Sequence, residues 1–99
     1  MITLFSGQTA NSSSTIFKLD GDKSTRDSQD GERVIVPSGE FDGASISLKI
    51  SANGVDFADM ETNTSTSSLA ELVYLPNELF VQATLTNAGA STSINYHIV

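Results

Sequence analysis

The segment Ala44-Ser45-Ile46-Ser47-Leu48-Lys49-Ile50-Ser51 alternates small or apolar residues with polar ones. Successive side chains of an extended strand point to opposite faces, so Ala44, Ile46, Leu48 and Ile50 share one face and Ser45, Ser47, Lys49 and Ser51 the other. This predicts a half-buried strand. Leu79 to Thr86 repeats the pattern, with Leu79, Val81, Ala83 and Leu85 alternating against Phe80, Gln82, Thr84 and Thr86. Phe80 makes the second face partly apolar there. Helical periodicity has little room in either run.

Six further strands are predicted at Ile2 to Ser6, Thr15 to Leu19, Glu32 to Val36, Val55 to Met60, Ala70 to Leu75 and Ser93 to Val99. Turn chemistry separates them. Asp20-Gly21 and Asp30-Gly31 frame a polar loop, Pro37-Ser38-Gly39 breaks the chain, and Asn53-Gly54 signals a hairpin of type I′. Asn87-Ala88-Gly89 turns the chain before its last strand. Ser68 to Leu75 could start a short helix capped by Ser67 or Ser68, or be a strand ended by Pro76; Val73, Tyr74 and the following proline favour the strand. Asn63 to Ser68, rich in Thr and Ser, reads as an exposed loop or a ragged strand edge. Eight short strands joined by polar loops predict an all-β antiparallel β-sandwich or barrel, and eight strands would permit a jelly roll. The pattern does not fix the topology.

The 99 residues fit one domain, 1–99, and the absence of Cys removes disulfide staples, so stability must come from packing, sheet hydrogen bonds or subunit contacts. Oligomerisation is one way to meet that need. Five Lys and Arg against twelve Asp and Glu give a net charge of -7, which repels phosphate backbones and anionic lipid. No nucleic-acid partner and no membrane partner is expected. The stretch MITLFSGQTANSSST has no basic leader region, and its apolar part is too short for a membrane span.

Residues 20 to 32, DGDKSTRDSQDGE, could offer oxygen ligands to Ca2+, but the EF-hand spacing fails at Ser24 and Thr25. A solvated loop with Asp-Gly turns is the simpler reading, and the same applies to Asp56, Asp59 and Glu61. His97 is the single histidine, placed on the strand face opposite Ile94, Tyr96 and Ile98, and no Gly-x-Ser-x-Gly elbow accompanies it. One histidine and no cysteine leave too few nitrogen and sulfur ligands for zinc. No catalytic residue, cofactor or metal site is predicted, and the chain is expected not to be an enzyme. A sugar-binding module is the competing class. Such platforms need exposed aromatic rings, and this chain has no Trp, two Tyr and five Phe, most of which the core requires.

Gly39-Glu40-Phe41-Asp42-Gly43-Ala44-Ser45-Ile46, continued by Leu48-Lys49-Ile50-Ser51-Ala52-Asn53-Gly54-Val55-Asp56-Phe57, resembles small β-sandwich virion proteins of tailed bacteriophages. There a G-x-F-x-G-A turn leads into a strand, followed by Ser-x-(Asp/Asn)-Gly and an aromatic. Val73-Tyr74-Leu75-Pro76 and Leu79 to Ala88 are similar to the closing strands of the same proteins. The likeness covers about Pro37 to Val99 and departs at Phe57, where Trp is commoner, and at Gln82, where a basic residue is often seen. It implies a phage virion structural protein of the head decoration type. Such a protein sits on the capsid exterior after synthesis in the host cytoplasm, with the major capsid protein as partner and a homo-oligomer, a trimer favoured, at a lattice symmetry point. The fibre, tail and connector are the other virion positions. Met1 to Ala10 precedes the similar region and carries Ile2, Leu4 and Phe5, which must either pair within the chain's own sheet or add as an edge strand to a partner. Ile2, Leu4 and Phe5 are the candidate partner-binding residues.

Overall fold

The computed structural model describes residues 1–19, 32–76 and 78–99, and for residues 61–65 the backbone only. Among them there is no helix. Nine strands form: β1 (Ile2–Gln8), β2 (Ser12–Ser13), β3 (Phe17–Lys18), β4 (Glu32–Glu40), β5 (Ser45–Ser51), β6 (Phe57–Ser65), β7 (Glu71–Tyr74), β8 (Phe80–Thr86) and β9 (Ser93–Ile98). They make two antiparallel sheets. The first runs β1-β9-β4-β7, and the second β2-β8-β5-β6 with β3 also on β8.

Since β2 and β3 both pair with β8, they act as two halves of one strand, which brings the count to the eight expected. The chain is then a long hairpin whose arms pair from the ends inward: β1 with β9, β2 and β3 with β8, β4 with β7, and β5 with β6. Rolling this ribbon joins β4 to β9 and β5 to β8. That strand order is the jelly roll, the two-Greek-key form of a β-sandwich.

The alternating runs decide what lies between the sheets. Ile46 and Leu48 from β5, Val81, Ala83 and Leu85 from β8, and Ile94, Tyr96 and Ile98 from β9 are all at 1% exposure or less. Ser45 and Ser47 stay half-exposed on the outside, as their parity requires. Each large side chain of this set contributes about 1.5 to 3 kcal/mol by leaving water. Leu19 and Leu75, next to β3 and β7, close the core at its side.

Three local expectations are corrected. The second predicted strand, Thr15 to Leu19, is reduced to β3 at Phe17–Lys18, and a separate piece, β2, pairs with β8 before it; just after β2 the Ser14 hydroxyl takes over a ladder position. The Ser14 N–H donates to the Ala83 carbonyl at 2.8 Å, and the Ser14 hydroxyl accepts from the Ala83 N–H at 2.9 Å. The chain does not break at Pro37, and β4 continues to Glu40. Val34 and Val99 exchange both main-chain bonds, so Val36 and Ser38 also face β9, and Pro37 between them faces the other side. There β7 has already ended opposite Ile35, and the missing N–H of Pro37 costs no ladder bond. Finally, Asn53-Gly54 does turn β5 into β6, but not as type I′. Gly54 alone takes positive φ, at 81°. The Asn53 side-chain carbonyl instead accepts the N–H groups of Val55 and Asp56 at 2.8 and 2.9 Å, which holds a longer loop.

Candidate functional site

The turn Gly39 to Ala44 packs against the β8–β9 loop at one end of the sandwich, while the Asn53-Gly54 turn lies beyond the other end of β5. Gly39, Asp42 and Gly43 all have positive φ, at 104°, 46° and 85°. They fold the chain around buried Phe41, whose carbonyl accepts from the Ala44 N–H at 2.8 Å and from the Thr92 hydroxyl at 2.9 Å. The Asp42 carboxylate accepts the Ser91 N–H at 2.8 Å, and the Thr92 hydroxyl accepts the Gly89 N–H at 2.8 Å. Asn11 joins them by accepting the Ala88 N–H at 2.8 Å. The G-x-F-x-G-A stretch is thus a device for docking the β4–β5 turn onto the β8–β9 loop. Its polar atoms are occupied in holding backbone.

A second surface is apolar and outward-facing. Inner residues Arg33, Ile35 and Pro37 of β4 are buried, so Val34 and Val36 lie on the outer face of the first sheet, half-exposed. Val34 stands opposite Leu72 of β7 and is bonded to Val99; Met1, one residue before Ile2, extends the row on the far side of Val99. Leu72 is 67% exposed and Tyr74, on the same face of β7, 65%. Met1 and Val99 are also exposed. An apolar row therefore crosses the outer face of the first sheet and ends at the β7 edge. The sequence predicts a strand here, with Tyr74 among the residues that favour it, but assigns neither Leu72 nor Tyr74 to a surface. Both parities of this segment are apolar, and it is Val73 and Leu75 that turn inward onto the core.

The candidate partner-binding residues Ile2, Leu4 and Phe5 fall in β1 and pair with β9, Ile2 opposite Ile98 and Phe5 opposite Tyr96. Leu4 and Phe5 are 7% and 4% exposed, and Ile2 packs against the same core. Two consecutive residues point inward because the β1 register shifts between Thr3 and Phe5. A strand adding to β1 would meet its main chain and not Leu4 or Phe5.

His97 lies on the outer face, where its Nδ1 is 3.0 Å from the Thr3 hydroxyl. Residues 20–31, which hold nearly all of the candidate Ca2+ loop, lie outside the described residues. Asp56 accepts from the Asn53 amide, and Asp59 stands 3.8 Å from Lys49 at the surface. Among the described residues no group of three His, Cys, Asp or Glu could hold a metal ion. Nor does any helix among them have the length and apolarity to cross a membrane. The rings are largely spent on packing: Phe5, Phe41 and Tyr96 are buried, and Phe17, Phe57 and Phe80 are half-buried. Lys18 covers the Phe80 ring at 5.7 Å. Tyr74 is the one exposed ring among the described residues. No protein-family model, curated protein or solved structure matches the chain.

Proposed function

We propose that the chain is a non-catalytic virion protein, a jelly roll that decorates and reinforces the exterior of a phage head. Its partner is the major capsid protein, and its copies are grouped by the particle's symmetry, three at a lattice point in the favoured arrangement. The observation that carries this reading is the apolar row over the first sheet, from Met1 through Val99 and Val34 to Leu72. It lies on the opposite face from the core, and a row of exposed and half-exposed apolar side chains of this kind fits protein–protein docking. The resemblance of residues 37–99 to virion sandwiches supplies the class of partner. The net charge of -7 suits a place outside the shell, away from packaged DNA.

Reinforcement needs no chemistry. A protein buried across the joints between capsid subunits binds only the closed shell, so opening the shell forfeits the binding free energy. The test is to mix the purified protein with empty heads that lack it, and to follow co-sedimentation and the temperature at which the heads open. Saturable binding with a raised opening temperature is expected. A protein that ignores heads but binds defined oligosaccharides on a glycan array would replace this reading with the sugar-binding one.

A further inference from the structure

The β7 edge differs from the other sheet edges. β1 carries two register irregularities and Gly7 at φ 65°, β6 carries a register shift, and β2 and β3 are two-residue pieces. Irregularities of this kind stop an edge from templating another strand. By contrast β7 keeps unbroken register with β4 and exposes Leu72 and Tyr74.

The hydrogen-bonding phase of the sheet follows from one pair. Because Val34 exchanges both main-chain bonds with Val99, the backbone groups of Arg33 and Ile35 point the other way, to β7. Their partners there, Val73 and Glu71, point back to β4. The N–H and C=O of Leu72 and Tyr74 are thus directed away from the sheet, at an edge where no strand pairs among the described residues. The two residues whose main chain meets no strand among the described residues also present the exposed apolar side chains.

We propose that β7 pairs antiparallel with β7 of a second copy, about a two-fold axis through Val73. In that register Leu72 of each copy faces Tyr74 of the other, each facing pair exchanges both its main-chain bonds, and Val73 meets its own counterpart. An axis perpendicular to the sheet keeps outer face with outer face, so the two Leu–Tyr pairs cover one another. A second copy brings the matching phase and the matching side chains by identity; a foreign strand would have to supply both separately. Two short strands with these four side chains remove on the order of 600 to 900 Å² from water, which is the size of a weak, transient contact. Each copy carries -7, so salt strengthens the pair by screening repulsion. The contact closes after two copies; on a particle it links neighbours across two-fold positions and does not itself build a trimer. It shares Leu72 with the apolar row over the first sheet, and it is tested on the free protein without heads.

The test is sedimentation velocity of the full chain up to about 1 mM at low and high salt, with residue-resolved amide exchange by NMR on the same samples. The expected result is a dimer fraction that rises with concentration and salt. The Leu72 and Tyr74 amides should gain about tenfold protection or more as it forms, while the Glu71 and Val73 amides are protected throughout. Leu72→Lys should keep the wild-type melting temperature and remain monomeric. A chain that stays monomeric at the highest concentration overturns the proposal, as does a dimer whose Leu72 and Tyr74 amides exchange freely. Protection of those two amides at every concentration also overturns it, because the edge would then be covered within the single chain.

Discussion

Gly39 of β4 lies against the carbonyl oxygen of Ser93 on β9 so closely that a Cβ added to Gly39 would stand well inside 3.0 Å of that oxygen. The two residues are neighbours in the ladder, next to the pairs Ser38–Asn95 and Glu40–Ser93. A φ of 104° brings the backbones together here, and no L side chain adopts it without strain. Gly39→Ala should therefore cost about 3 kcal/mol or more, from strain and collision combined. Gly43 offers the control. Its φ is 85° with open space around the missing Cβ, so Gly43→Ala should cost only about 1 to 2 kcal/mol. Urea unfolding of the two variants beside the wild type measures the difference, and equal losses would mean that Ser93 does not crowd Gly39.

Ile46 and Ser47 are adjacent but face opposite ways, Ile46 at 0% exposure in the core. Ile46→Ala should cost about 2 to 5 kcal/mol, and Ser47→Ala should stay within about 0.5. Comparable losses at the two positions in chemical denaturation would contradict the sandwich register of β5.

Ser14 is buried, and its hydroxyl accepts from the Ala83 N–H in the middle of β8. Ser14→Ala leaves that N–H without its acceptor, which should cost about 1 to 3 kcal/mol. Thermal unfolding gives the magnitude, and amide exchange gives the location. The Ala83 amide should lose protection while that of Val81 keeps it.

Phe5 is opposite Tyr96 and 4% exposed, so Phe5→Ala should cost about 3 to 5 kcal/mol. Deleting Met1 to Phe5 should destabilise the fold before it affects any attachment. A truncated chain with an unchanged melting temperature would show that β1 contributes little to the sandwich and would favour docking as the role of Ile2, Leu4 and Phe5.

How far the sequence reaches differs from strand to strand. At β5 one parity is apolar and the other polar, and at β8 the same holds apart from Phe80, so both strands and their buried faces were legible. At β7 both parities are apolar, Leu72 and Tyr74 against Val73 and Leu75, and the alternation could not tell which pair faces water. The Asn53-Gly54 signal located a turn because both residues favour one. The type of that turn depends on Asn53 accepting from Val55 and Asp56, a choice between local hydrogen bonds that the dipeptide leaves open.

Alternation, turn residues and charge are properties of neighbours in the chain, and they determined that this protein is built of short antiparallel strands with an acidic exterior. Which strands become neighbours depends on contacts between distant residues, such as Ile2 with Ile98 and Ile35 with Ile98. Tertiary structure alone decided the nested jelly-roll pairing, the passage of β4 through Pro37, the burial of Leu4 and Phe5, and the outward turn of Leu72 and Tyr74 at the β7 edge. The reason is physical: a strand's period says which side chains share a face, but whether that face or its edge meets another strand is settled only when the whole ribbon closes on itself.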